Sequence, residues 1–332
     1  MPVSLTRRTV LSATAATALL ALTGCGGNVS GGGGDAADFP SKPINLSVGQ
    51  AAGGSTDLIA RAVADGMSTD LGQPVTVVNK PGANGAVATK EVAGKDADGY
   101  ELVLLNASLI TVTPLAVSEG DAVTLDDLDV LKGLSQDDYV LVASKASGLT
   151  TLEDVKDADS MAYGTTGVGT ASQIAQTVLF AEAGVQGTEV PFDSGSPALT
   201  AVMGDQVQLA TVQLGEAKPQ IDAGTVVPIL TFAQDRNEFL PDTPTATEEG
   251  FDVPVAQYRA VAAPKGLPED VKTRLIESID ATLETQAYKD FNKGQLLTAH
   301  EISGEEVVTE WNSLRDRYAA LVEKHGISLS GN

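Results

Sequence analysis

Cysteine, histidine, aromatic side chains and positive charge are all scarce in this sequence. The single cysteine excludes an intrachain disulfide, and with only His300 and His325 beside it no Cys/His zinc site can be assembled. Lys and Arg number 21 against 44 Asp and Glu, a formal charge of −23. Phosphate binding needs a basic face, so a nucleic acid is excluded as a partner. Aromatics are only 4% of the 332 residues, which makes the core aliphatic, and a hydrophobic content of 42% suffices to build it. Single cores stop growing near about 250–300 residues, so two lobes are the expectation.

Residues 1–24 contain two arginines, Arg7 and Arg8, and no acid, followed by an Ala/Leu-rich stretch from Thr9 to Thr23. That stretch is shorter than the roughly 20 apolar residues needed to span a bilayer, and it has the anatomy of an export signal. It ends in Leu22-Thr23-Gly24-Cys25, which resembles the bacterial lipobox; the resemblance implies that Cys25 is lipidated and begins the mature chain. The sequence Thr6-Arg7-Arg8-Thr9 is also similar to a twin-arginine signal, so either export route stays open. Residues 25–38 read as a flexible Gly-rich tether. Without the leader the basic count falls to 19 against the same 44 acids, a balance of −25. The expectation is an exported protein, lipid-anchored at the outer face of the cytoplasmic membrane.

The rest of the chain alternates strand and helix patterns. Ile44–Val48, Val75–Val78, Leu102–Leu105 and Tyr139–Ala143 read as strands. Helices are expected at Asp57–Leu71, where Ile59, Val63, Met67 and Leu71 share one face, and at about 172–183, 197–203 and 269–283. Val307, Trp311, Leu314, Tyr318 and Leu321 form a single apolar stripe on a last helix. Short strands alternating with helices predict an α/β fold with mainly parallel sheets flanked by helices.

In such sheets ligands sit beyond the carboxyl ends of the strands, where loops run into helix starts. Two loops fit: Ala51 to Asp57 after the first strand, and Gly164 to Ser172 after Met161-Ala162-Tyr163. Glycines there let the backbone approach a ligand, the first-turn amides are free, and the helix dipole favours negative charge. Candidate contacts are Ala52, Gly53, Gly54, Ser55, Thr56 and Asp57 in the first loop, and Thr165, Thr166, Gly167, Gly169 and Thr170 in the second. The competing account of each loop is plain capping, with Ser55 as N-cap and Asp57 answering the dipole. Neither loop is a nucleotide motif: no Gly-Lys-Ser/Thr occurs, and Gly167-Val168-Gly169-Thr170-Ala171-Ser172 lacks the third glycine of a dinucleotide fingerprint. No cofactor or metal is expected.

Further segments stand in order along the chain: Pro40-Ser41-Lys42-Pro43-Ile44, Gly53-Gly54-Ser55-Thr56-Asp57, Leu71-Gly72-Gln73-Pro74-Val75, Asn79 to Gly85 and Asp98-Gly99-Tyr100. Val190-Pro191-Phe192 with Gly195 to Leu199, Leu240 to Thr245 with Glu249-Gly250, and Ala263 to Pro268 continue the series. Together they resemble the tripartite tricarboxylate transporter receptors, the Bug or TctC-type solute-binding proteins. The resemblance implies a periplasmic-binding-protein-like fold, two lobes joined by two crossing strands with the ligand cleft between them. Mapped here, lobe 1 is 39–143 plus 263–332 and lobe 2 is 144–262. It also implies that the two loops grip a small carboxylate from opposite sides, with Asn106 and Ser108 beside them, and that a monomeric receptor hands its ligand to integral membrane permease subunits.

Departures from the family pattern bear on specificity. Gly49-Gln50-Ala51-Ala52 stands where the family has Pro-Phe-Ala-Pro, which removes an apolar wall and supplies an amide. Asp193-Ser194 stands where Lys-Gly is frequent; if Asp193 faces the cleft it favours an amino or hydroxyl group, and otherwise it is a solvated acid. Arg259 could pair with a carboxylate or be an ordinary surface arginine. The paired acids Asp126-Asp127 and Asp137-Asp138 read as solvated faces, and His325 as part of a solvated tail. No Gly-x-Ser-x-Gly elbow or base-paired nucleophile appears, which speaks against an enzyme. A sensory receptor of the same fold is the remaining alternative.

Overall fold

The computed structural model describes residues 39–329. The leader, Cys25 and the tether fall outside them. In chain order the regular elements are β1 (Ile44–Val48), α1 (Ser55–Leu71), β2 (Val75–Asn79), α2 (Ala86–Ala93), β3 (Glu101–Asn106), α3 (Ala107–Thr111), β4 (Leu128–Ser144), α4 (Leu152–Asp157), β5 (Met161–Thr165) and α5 (Ala171–Ala183). They continue with β6 (Gly187–Pro191), α6 (Gly195–Met203), β7 (Leu209–Gln213), α7 (Leu214–Asp222), β8 (Val226–Thr231), β9 (Ala256–Pro264), α8 (Glu269–Leu283), α9 (Gln286–Gly294), β10 (Thr298–Ala299) and α10 (Gly304–His325). The class is mixed α/β.

Pairing is parallel at the outer strands and antiparallel where the chain crosses. β1 pairs with β2 and β3 in parallel, as β5 does with β6 and β7. β9 runs antiparallel to β3 and β4. β4 is the longest strand at 17 residues. From Leu128 to Asp138 it pairs with β9, and from Tyr139 to Ser144 it runs between β7 and β8. Register shifts between Val130 and Lys132, Gly133 and Ser135, and Leu141 and Val142 bend it along the way.

Local sequence explains the elements around the cleft. Ile59, Val63, Met67 and Leu71 recur at helical spacing and all point into the first core, against β1, β3 and α8. α1 stops at Gly72, whose φ of 66° is left-handed and lets its amide reach the Ser68 carbonyl. α5 ends the same way at Gly184, and its N-cap Thr170 accepts a hydrogen bond from the Gln173 amide.

α10 packs into two of the core clusters. Its start is fixed by a capping box between Ser303 and Glu306. Gly304 lies so close to β4 that a Cβ there would collide with the Val130 carbonyl. Val307 and Trp311 pack in a cluster with β3 and β9, whereas Tyr318 and, beyond the helix, Leu329 belong to the core around β5, β7 and α5. His325 is not in a solvated tail: its imidazole Nε2 lies 3.1 Å from Glu182 Oε1 on α5. The apolar stripe read from the sequence is therefore one helix seated on both halves.

Candidate functional site

The starts of α1 and α5 both lie at carboxyl ends of strands, as the loop reading expects. α1 is capped by Gly54, which offers no side chain, so Ser55 is a first-turn residue and not the N-cap. Within the described residues the amides of Ser55 and Thr56 make no hydrogen bond, and neither do those of Ala171 and Ser172 at the start of α5. Each helix thus presents unpaired donors with the dipole's positive end behind them.

Side chains brace both loops. Asp57 accepts from the Gly53 amide at 2.9 Å, from Arg61 through Nε and Nη2 at 2.9 Å each, and from Asn79 Nδ2 at 2.9 Å. Burial works against its charge, but the Arg61 guanidinium and the two amide donors win and hold the carboxyl below its ordinary range. Thr56 Oγ1 donates to Asn106 Oδ1 at 3.2 Å. In the second loop the Gly169 amide donates to Gln173 Oε1 at 2.8 Å, and Thr170 Oγ1 donates to the Gly167 carbonyl at 2.7 Å. Thr166 Oγ1 lies 3.3 Å from Thr170 Oγ1, and Thr165 Oγ1 donates to Glu189 Oε1 at 2.7 Å. Gly167 and Gly169 hold φ of 112° and 71°, values that L side chains adopt only under strain.

Two residues outside both loops reach the second one. Asn84 Nδ2 reaches Ser108 Oγ at 3.0 Å, Thr113 Oγ1 at 3.1 Å and the Gly169 carbonyl at 3.2 Å, and Thr113 Oγ1 donates to the same carbonyl at 3.0 Å. Gln257 on β9 completes this wall: its side chain accepts from the Ser108 amide at 3.1 Å and donates to Ser108 Oγ at 2.9 Å. Asn84 holds a φ of 52°, which asparagine tolerates better than most side chains. Asn84 and Thr113 escaped the sequence reading of sites; Asn84 stood in a matched segment, but nothing local marks Thr113.

A buried charged group lies behind Ser55. Asp137 is 3% exposed and Arg259 2%, joined at 3.0 Å between Oδ2 and Nη2. The same oxygen accepts from Ser55 Oγ at 3.1 Å and from Gln213 Nε2. Asp138, 6% exposed, is held by Asn237 Nδ2 at 2.7 Å and Gln136 Nε2 at 2.8 Å. Two expectations fall here: Arg259 is not a surface arginine, and Asp137-Asp138 is not a solvated face. Both belong to crossing strands, whose interior position depends on long-range pairing that a single-sequence pattern does not display. Burial raises the Asp137 carboxyl although Arg259 and Ser55 pull it down. Burial, reinforced by the Asp137 charge and opposed by Arg259, pushes Glu216 on α7 up to about 7. Asp193 is exposed and without a hydrogen bond, and Gln50 donates to the Asn84 carbonyl at 3.4 Å. Two open surface hollows lie away from this region, one along the start of α10 and one between α1, α8 and α9.

The model of the tripartite tricarboxylate transporter family receptor matches residues 59–326. A UPF0065 protein of Bordetella pertussis is 32% identical over 261 residues, 76% of this chain and 80% of the relative. The periplasmic binding protein BugD superposes with a TM-score of 0.79 at 28% identity, covering 87% of this chain and 99% of BugD. MatC of Rhodopseudomonas palustris, solved with bound malate, gives 0.77 at 25% identity, covering 86% of this chain and 100% of MatC.

Two outcomes follow from the geometry. Asn84→Ala removes the side-chain bridge to Gly169, so a loss of about 1–2 kcal/mol in urea unfolding and a larger scattering radius are expected. An unchanged radius would show that this bridge does not hold the loops together. Glu216 titrates at about 7 in the fold against an ordinary 4.5, so its contribution is greatest at acid pH and is lost as pH rises towards 7 and above, on the order of 2–3 kcal/mol. Glu216→Gln should therefore unfold at higher urea than the parent at pH 8 and level with it at pH 4. Equal midpoints at pH 8 would refute the assignment.

Proposed function

Because the chain belongs to the tripartite tricarboxylate transporter receptor family, solute-binding receptors for small organic acids and not enzymes, we propose that its ligand is a carboxylate held between the starts of α1 and α5. The observation that supports this reading is the pair of helix starts with unpaired amides, with Thr56 bonded to Asn106 on one side and Asn84 bonded to both Ser108 and the Gly169 carbonyl on the other. The ligand's anionic oxygens take the Ser55 and Thr56 amides on one side and the Ala171 and Ser172 amides on the other. Hydroxyls of Ser55, Thr166 and Thr170 add donors, with Gly53, Gly54, Gly167 and Gly169 giving close backbone approach. Asp57, Asn106 and Ser108 act as braces of these loops. MatC, of the same fold, was solved with malate, an acid of this size class.

The halves act as lobes, 39–143 with 263–332 and 144–262, which close on the ligand about β4 and β9, with α10 as a third tie. Each helix start alone binds weakly, and closure joins two half-sites. The loaded, closed form is what a membrane permease recognises. The export signal ends at Cys25, whose lipid holds the receptor, as a monomer, at the outer face of the cytoplasmic membrane. Among the described residues no helix is long and apolar enough to cross a membrane.

In a thermal-unfolding panel of short mono-, di- and tricarboxylates, a site ligand at 100 times its dissociation constant should stabilise the protein by about 2.7 kcal/mol. Gly54→Trp, which fills the start of α1, should abolish that gain; an undiminished response would move the site elsewhere. Cys25→Ser should release the protein from membranes in a fractionation assay, and retention would exclude the lipid anchor.

A further inference from the structure

Asp137 and Glu216 place two carboxyl groups beside one cation, Arg259. Ionisable groups act on Glu216 from β4 and β9 alone: Asp137 and the phenol of Tyr139 from the first, Arg259 from the second. β7, β8 and α6 also pack against α7 and carry no ionisable side chain. On α7 itself, Lys218 is spent on Asp222.

Donors are divided unequally between the two carboxyls. Asp137 Oδ2 accepts from Arg259, Ser55 and Gln213, whereas no group among the described residues donates to Glu216. Hydrogen bonds to the charged form keep a carboxyl ionised, and burial without them favours the neutral acid. Glu216 is therefore the one that holds a proton near neutrality, in line with a titration pushed up to about 7 by burial and by the Asp137 charge. Gly195 leaves the space this carboxyl fills, since a Cβ there would collide with Oε2. Glu216 is partly exposed, which leaves solvent as the source of the proton.

The same cluster reaches the start of α1. Ser55 Oγ donates to Asp137 Oδ2 at 3.1 Å, and the Ser55 amide is one of the donors assigned to the ligand. An anion on that amide is a further negative charge, one residue away from the Asp137 carboxylate. Partly buried charges are screened far less than exposed ones, so the added charge disfavours an ionised Glu216 and raises its titration.

We propose that anion binding at the start of α1 is coupled to proton uptake by Glu216, so that the receptor takes its carboxylate together with a proton and holds it less tightly as pH rises. The proposal rests on the cleft reading above and adds a regulation of that site. By linkage, a ligand that raises the titration of a group binds more tightly to its protonated form. The coupling is complete while Glu216 is protonated in both states, below about pH 6, and is lost as pH rises through the titration of the liganded receptor.

The test is calorimetric titration of the full-length receptor with succinate, malate, aspartate and any further acid retained by the thermal panel. Each is run in phosphate and in Tris, whose different protonation heats count the protons taken up. If binding moves the titration up by about 1, uptake at about pH 7.5 is roughly half a proton per ligand, and affinity falls about 5- to 10-fold between about pH 6.5 and 9. In Glu216→Gln both effects should vanish, with affinity near the parent's value at the acid end. A ¹³C signal of the Glu216 carboxyl that titrates higher with ligand than without gives the same answer in the unaltered protein. An acid whose binding is lost in Gly54→Trp yet carries no proton uptake overturns the coupling and leaves the cleft reading standing. Uptake that persists in Glu216→Gln assigns the proton to another group, such as His300 or His325, and also overturns the coupling. Binding of none of the acids overturns both.

Discussion

One carboxylate oxygen, Asp137 Oδ2, holds the middle of the molecule together. It accepts from Arg259 on β9, from Ser55 at the start of α1 and from Gln213 at the end of β7. Asp137 lies one residue before β4 leaves its pairing with β9 for its pairing with β7 and β8. The oxygen therefore gathers the start of α1, the end of β7 and a residue of β9 at one point of β4. Removing one partner of such a buried pair typically costs about 3–5 kcal/mol, because the charge left behind is uncompensated. The reverse does not hold: replacing the whole pair by packed apolar groups is often neutral or stabilising.

Around that centre, side chains of the protein itself fix both of the proposed binding loops. Asp57 organises the first through four donors, and Gln173 with Thr170 organises the second. Asn84 and Thr113 bring Gly169 against the first half. A loop already ordered loses less entropy on binding, so more of each hydrogen bond to ligand appears as affinity. The glycines at 167 and 169 belong to the same logic: their positive φ shapes the turn that delivers the second set of amides.

Elements whose signal is local were legible in the sequence. β1 and α8 were read to the residue, α1 within two residues at its start, and the two loops came from glycine and hydroxyl content next to an apolar run. What was not legible depends on distant pairing. Tyr139 to Ala143 was read as a short strand, yet β4 extends back to Leu128, because Asp129, Lys132, Gln136, Asp137 and Asp138 break the apolar pattern. Those polar residues sit in a strand because distant groups satisfy them: Lys132 pairs with Asp280, Asp129 accepts from the Gly266 and Leu267 amides, Asp137 pairs with Arg259 and Asp138 with Asn237, and nothing within ten positions of Asp137 announces Arg259. The same reason hid the buried state of both. Asn84 was visible as part of a family segment, but its contact with Gly169 spans 85 positions.

The sign of the ligand also turns on the difference between distant and near charge. With 44 acids against 21 bases, the exterior field opposes an anion. At physiological ionic strength that field decays over about 8 Å, and most of the acids are exposed and screened. In the proposed site the amides at the starts of α1 and α5 act at contact distance, where such screening does not reach. The two fields govern different quantities: the exterior charge bears on the rate of encounter and its salt dependence, and the contact donors bear on affinity.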